Sequence, residues 1–243
     1  MTAIKRQARI AGLLYLLASI PAAFAWVYVA NKLIVTGDAT ATANHLRASE
    51  TLFRFSIGCE LVGSIIFIFV VLALYRLFKP VNERYSLVMA LLLLISLPIS
   101  LLSVVNEIAA LTAATGPGFL SAFDQHQLDG LAYLFIRLHG QMLVVAQIFW
   151  GLWLFPFGIL VIRSGFIPRF LGYLLFIAAV GYIANSFAAL IIPAQRQSVA
   201  RFADVLQMAE TPIIFWLLIW GAKMVPAPAA TSVSDSRVQA PQL

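Results

Sequence analysis

Three glutamates stand inside runs of apolar sequence: Glu60 in Phe55–Phe78, Glu107 in Leu87–Leu111 and Glu210 in Val205–Ala222. A carboxyl group in such a run is expensive to remove from water, so its first reading is functional. Together with His139, carboxyl groups of this kind have the chemistry to exchange protons in a coupled carrier, or to hold a small polar or cationic molecule. Asn106, Gln141 and Asn185 add neutral polar groups at a similar depth, and with the others they make up a candidate ligand-binding layer. A packing role competes with this reading. Glutamates near the headgroups cost little, and they can bond across helices or pair with Arg54, Arg137 or Arg201. Glu60 lies deepest in its run, whereas Glu107 lies nearest an end and is the better fit to packing.

Other chemistries find less support. Asp124-x-His126-x-x-Asp129 offers metal-ligand types, but not the spacing of a His-Glu-x-x-His helix, and no metal or cofactor is expected. No Gly-x-Ser-x-Gly elbow and no phosphate-cradling glycine loop occurs. Ser64 and Ser186 read as packing residues, and Cys59 beside Glu60 reads as a small hydrophobe. A single cysteine also excludes an intrachain disulfide. No basic cluster interleaved with aromatics is present, so nucleic acid is not expected as a partner.

The elements that must position these residues follow from composition. Of 243 residues, 62% are hydrophobic and 11% charged, whereas soluble domains carry roughly 25% charged residues. A water-soluble core of this length could not hide so much apolar surface, but a bilayer accepts it. Six runs are long enough to cross: Ile10–Ala30, Phe55–Phe78, Leu87–Leu111, Met142–Ile162, Phe170–Ile192 and Val205–Ala222. Glu210 and Pro212 interrupt the first turns of the last. The runs do not alternate apolar with polar residues, which excludes a membrane β-barrel.

Basic residues orient the bundle. With the N-terminus inside, the inner side holds Lys5, Arg6, Arg9, Arg76, Lys79, Arg84, Arg163, Arg169, Lys223 and Arg237. The outer side holds Lys32, Arg47, Arg54, Arg137, Arg196 and Arg201, so ten of the sixteen basic residues fall inside. This orientation puts all three glutamates in the outer part of the membrane. Ala23-Phe24-Ala25 resembles a signal-peptidase site, but the apolar run continues through Trp26–Ala30, so the first helix is expected to stay.

The inner loops Lys79–Arg84 and Arg163–Arg169 are short, while the outer loops Asn31–Arg54, Thr112–Gln141 and Pro193–Asp204 are longer. Within the first, Ala41–Arg54 is expected to form an amphipathic helix on the membrane surface. Pro98 and Pro156 are expected to kink their helices. Residues 1–225 make one transmembrane domain, and 226–243, rich in Pro, Ala and Ser, form a tail unable to bury a core. Arg9-Ile10-Ala11-Gly12-Leu13-Leu14 echoes Arg169-Phe170-Leu171-Gly172-Tyr173-Leu174, and Glu60 and Glu210 sit early in the helices that follow. A parallel repeat would explain this. So would the ordinary frequency of Arg at inner helix ends and of Gly in membrane helices, which suffices here.

Phe149-Trp150-Gly151-Leu152-Trp153-Leu154-Phe155-Pro156-Phe157-Gly158 leads into the turn Arg163-Ser164-Gly165-Phe166-Ile167-Pro168-Arg169. This segment resembles the signature of a bacterial multi-pass membrane family catalogued as domain of unknown function 4386. Arg9–Tyr15 and Leu74-Tyr75-Arg76-Leu77-Phe78-Lys79-Pro80-Val81-Asn82 agree with it, so the resemblance runs from about Arg9 to Gly221. It implies a six-helix membrane fold that includes the first helix. It implies no reaction and carries over no catalytic residue.

The expectation is therefore an all-α polytopic bundle of about six transmembrane helices in the bacterial inner membrane, with both termini cytoplasmic. Its partners are the lipid bilayer and a small polar or cationic ligand, held in an outward-facing polar pocket of a binding or transport-like protein. An intramembrane enzyme acting on a lipid or lipid-linked substrate through Glu60, Glu210 and His139, or a packing scaffold without chemistry, are the alternatives.

Overall fold

A chain that satisfies its own backbone within each segment can cross hydrocarbon, and helices do so residue by residue. The computed structural model describes residues 3–222, which contain helices and no strand. Six helical stretches are long and apolar enough to cross a membrane. The tail 226–243 lies outside the described residues.

The first stretch joins α1 (Ala3–Ala23), a π-helical segment Phe24–Val29 and the short α2 (Ala30–Leu33). The helix is continuous through Ala23-Phe24-Ala25. Pro21 lies inside α1 and lacks the N–H that would bond the carbonyl one turn back. The wider π turns follow directly after it. Next comes α3 (Ala39–Ala48), capped by the Asp38 side chain, which accepts from the Ala41 N–H at 2.8 Å.

The expected surface helix Ala41–Arg54 is corrected here. The backbone breaks at Ser49, its last residues belong to the following helix, and Thr42, Ala43 and Leu46 are buried against the bundle. Mixed polarity predicts a lipid-facing surface, but the apolar face of α3 packs on protein.

The long helices are α4 (Glu50–Phe78) and α5 (Glu83–Thr115). The Asn82 side chain caps α5, and Gly116 ends it in the left-handed conformation, φ 59°. The chain stays helical across Pro98. α6 (Gln125–Leu152) begins with a reciprocal Asp124–Gln127 capping box, and α7 (Leu154–Ser164) follows after a break at Trp153. Pro156 cannot bond the Leu152 carbonyl, and that is where α6 stops. The outer loop expected over Thr112–Gln141 is thus largely helix. Its first turns are polar because they pack on other protein, so an apolar run marks only the later part of the helix.

α8 (Arg169–Ile191) leads to α9 (Arg196–Gln207), a 3₁₀ turn Met208–Glu210 and α10 (Thr211–Ile219). The sixth crossing therefore starts before the expected Val205. It changes pitch at Glu210, and Pro212 lies in the first turn of α10, where its missing N–H costs nothing.

Two buried apolar clusters hold the bundle. One gathers Tyr15, Leu74, Phe78, Trp153, Phe157, Leu160, Leu171 and Leu217, and the other Val29, Leu33, Leu46, Phe53, Leu111, Ala114, Ala132 and Ile136. Backbones touch where glycines face each other: a Cβ on Gly158 would lie 2.8 Å from the Gly172 oxygen, and one on Gly172 would lie 2.7 Å from the Gly158 oxygen. Outside, Ile10, Leu13, Leu17 and Ile20 line an exposed face of α1, and Val62, Ile65, Phe69 and Leu72 do the same on α4. Such continuous apolar faces fit lipid rather than water. The chain is a multi-pass membrane protein.

Candidate functional site

α5 carries a polar stripe. Ser96, Ser100, Ser103 and Glu107 follow one another at steps of four, three and four residues, which is one face of a helix. All four are buried. The serines settle their hydroxyls locally, each donating to a carbonyl one turn back: Ser96 to Leu93 at 2.7 Å, Ser100 to Ser96 at 3.1 Å and Ser103 to Ser100 at 2.7 Å. Glu107 has no such local solution. Its carboxyl meets that of Glu60 from α4 and the ring of His139 from α6.

His139 is held by its Nδ1–H, which donates to the Ser103 carbonyl at 3.2 Å, since a carbonyl can only accept. In the neutral ring this leaves Nε2 with its lone pair toward the acids. Nε2 stands 3.8 Å from Glu60 Oε1 and 3.9 Å from Glu107 Oε1, too far for a direct hydrogen bond. The Trp26 indole N–H donates to the Glu60 carboxyl. Glu107 Oε2 is buried and has no hydrogen-bond partner among the described residues. Among the described residues no lysine or arginine pairs with either acid. Arg54, which packing alone could have set against a buried glutamate, instead pairs with Glu50 at 2.7 Å.

Beside this cluster lies a cavity of about 380 Å³ between α1, α4, α5, the α6–α7 junction, α8 and α10. Glu60 and Glu210 both face it, and among the described residues neither lysine nor arginine lines it. Aromatic side chains interrupt its otherwise aliphatic and small-residue walls at Tyr15, Trp26, Phe67, Trp150, Trp153, Tyr182 and Phe215. The Tyr15 hydroxyl donates to Glu210 Oε1. Ser96 and Ser100 also face the cavity, so the α5 stripe runs from the cavity wall to the His139 cluster.

The seven layer residues thus divide. Glu60, Glu107 and His139 converge, and Glu210 meets Glu60 only across the cavity. Asn106 points to Met142, its amide 3.2 Å from the sulfur, and Asn185 donates to Gln147 at 2.9 Å, tying α8 to α6. Gln141 follows His139 by two positions, roughly 200° around the helix, so the two side chains leave α6 in different directions. Glu107, placed nearest the headgroups by sequence, is 6% exposed, because α5 continues to Thr115 and α3 packs over its end.

The Asp124-x-His126-x-x-Asp129 segment is structural at both acids. Asp124 caps α6, and Asp129 accepts from Arg47 at 2.8 Å and from Gln125 at 2.9 Å. The cavity aromatics and the serine stripe were missed in sequence. Both left a signal: Trp150 and Trp153 lie far from the ends of their crossing, away from the interfaces where tryptophan usually collects, and the serines keep helical spacing with Glu107.

A family model described as "Domain of unknown function (DUF4386)" matches residues 10–221. The chain is also similar to an uncharacterized protein of Archaeoglobus fulgidus, 31% identical over 155 residues that cover 64% of this chain and 76% of the relative. No solved structure matches it. The family match runs from the first turns of α1 to the glycine beyond α10, taking in every helix that builds the cavity and the His139 cluster, and the chain belongs to this family.

Proposed function

We propose that this protein binds a small organic cation within the bacterial cytoplasmic membrane, in a transport-like role, with both termini inside and the cavity reached from the outside. The observation that carries the reading is the cavity wall, which among the described residues holds two acids and no base, with three indole and two phenol rings in its lining. Ring faces attract cations most strongly where water is excluded. Glu210, held by the Tyr15 hydroxyl, supplies the counter-charge. At about 380 Å³ the cavity falls in the range of small-molecule sites, roughly 300–1,000 Å³. The excess of basic residues on the α4–α5 and α7–α8 turns supports the orientation.

The test compares benzyltrimethylammonium with neopentylbenzene, its uncharged counterpart of the same shape, as stabilisers of the detergent-solubilised protein against heat. The cation is expected to raise the melting temperature of wild type, and to do so much less in Glu210→Gln and Trp150→Leu. Equal stabilisation by the neutral compound, or an unchanged response in Glu210→Gln, would overturn the reading.

A further inference from the structure

We propose that Glu60, Glu107 and His139 form a binding site for one divalent transition-metal ion, with zinc the best match. Each residue offers one ligand atom, and these atoms all lie within 4.8 Å of one another. Two ligands at zinc bond lengths in tetrahedral geometry are separated by roughly 3.4 Å. The observed separations of 3.8 and 3.9 Å from Nε2 to the two carboxylates need only a small inward movement.

Three further features favour a metal over a chance meeting of polar groups. The His139 ring is fixed by the Nδ1–H bond to the Ser103 carbonyl, which presents Nε2 as the ligand, as metal-bound histidines are commonly held. Glu107 is only 6% exposed, yet among the described residues its Oε2 has no hydrogen-bond partner. Charge also balances: two carboxylates and a neutral imidazole around a divalent ion sum to zero, the state that a low-dielectric interior tolerates best. Three protein ligands leave a coordination position open, as in catalytic rather than structural zinc sites. Glu60, which also faces the cavity, joins the two regions.

The proposal shares Glu60 with the cation-binding reading but stands on Glu107 and His139, which do not line the cavity. The full-length protein in detergent would be stripped with a chelator, reloaded with zinc, desalted and analysed for metal content, with cobalt(II) absorption as a second readout. Wild type and Glu210→Gln are expected to retain about one zinc per chain. Glu107→Gln and His139→Ala are expected to lose at least ~10-fold in affinity while still being stabilised by benzyltrimethylammonium. Cobalt in wild type should give the intense visible bands of a four-coordinate ion. Should His139→Ala fail to fold, Glu107→Gln, which keeps the side-chain volume, and the wild-type cobalt spectrum decide. Zinc retention unchanged in Glu107→Gln, no retention by wild type, or only the weak bands of six-coordinate cobalt would overturn the metal site. Loss of the cation response with zinc binding intact would overturn the other reading alone.

Discussion

Tyr15 and Glu210 come from opposite ends of the chain and meet because α1 packs against α10. A buried carboxylate without a donor is costly, so the phenol hydroxyl does more than decorate the cavity. Tyr15→Phe removes one oxygen and leaves the ring in its contacts with Phe67 and Trp153. The expected loss is about 1–3 kcal/mol, the cost of an unsatisfied buried acceptor, read as a lower melting temperature. Glu210→Gln in the Tyr15→Phe background should recover part of it, because an amide tolerates the loss of the donor better than a carboxylate does. Sequence alone singles out the glutamates, since an acid in an apolar run stands out at any depth. It cannot pair them. Glu60 and Glu107 meet through the register of α4 against α5, and Tyr15 reaches Glu210 through a contact between chain ends, neither of which is encoded in local spacing. The serine stripe of α5 was open to reading, at steps of four, three and four residues, but serine is so common in membrane helices that the pattern is visible chiefly once Glu107 and His139 complete it.

The elements hold these residues through contacts of two kinds. Where α7 meets α8, Gly158 and Gly172 bring backbone against backbone, and a methyl group at either position would collide with a carbonyl oxygen below 3 Å. Gly158→Ala is expected to cost roughly 1–3 kcal/mol through forced separation of the helices. Gly58→Ala, where an added Cβ meets nothing within 4 Å among the described residues, should be neutral or slightly stabilising. Comparing the two melting temperatures separates packing from helix propensity. At the other end, Arg47 on α3 donates to Asp129 on α6 and to the Ala114 carbonyl at the end of α5. Arg47 is 29% exposed at its side chain and Asp129 only 4%, so Asp129→Ala should cost about 1–3 kcal/mol, less than a fully buried pair. The loss should appear first as faster hydrogen exchange in Ala39–Ala48. This clamp explains why helix ends were the poorest part of the sequence reading. The first turns of α6 are polar and carry Asp129 because they pack on α3 and α5, while an apolar window recognises only the stretch that faces lipid.

At the scale of the whole molecule, the six apolar runs were legible because lipid demands the same thing of every crossing helix, whatever its neighbours. Which end of the bundle faces out rests on a weaker signal, ten basic residues against six, and it decides what the cavity and the His139 cluster can meet. Cys59 is the single cysteine, so a Cys59→Ala background is silent to thiol reagents. Phe119, 77% exposed between α5 and α6, and Glu83, at the start of α5 where its carboxylate pairs with Lys79 at 3.1 Å, mark opposite ends of one helix. With the N-terminus inside, a membrane-impermeant maleimide applied to spheroplasts should label Phe119→Cys at once and Glu83→Cys only after lysis. In that case Glu60, Glu107 and His139 sit in the outer half of the bilayer, where a cation drawn from outside meets them without crossing the membrane. The opposite labelling would invert the bundle. The same residues would then face a ligand, or a metal ion, supplied by the cytoplasm, and the cation-binding cavity would have to work as an exit rather than an entrance.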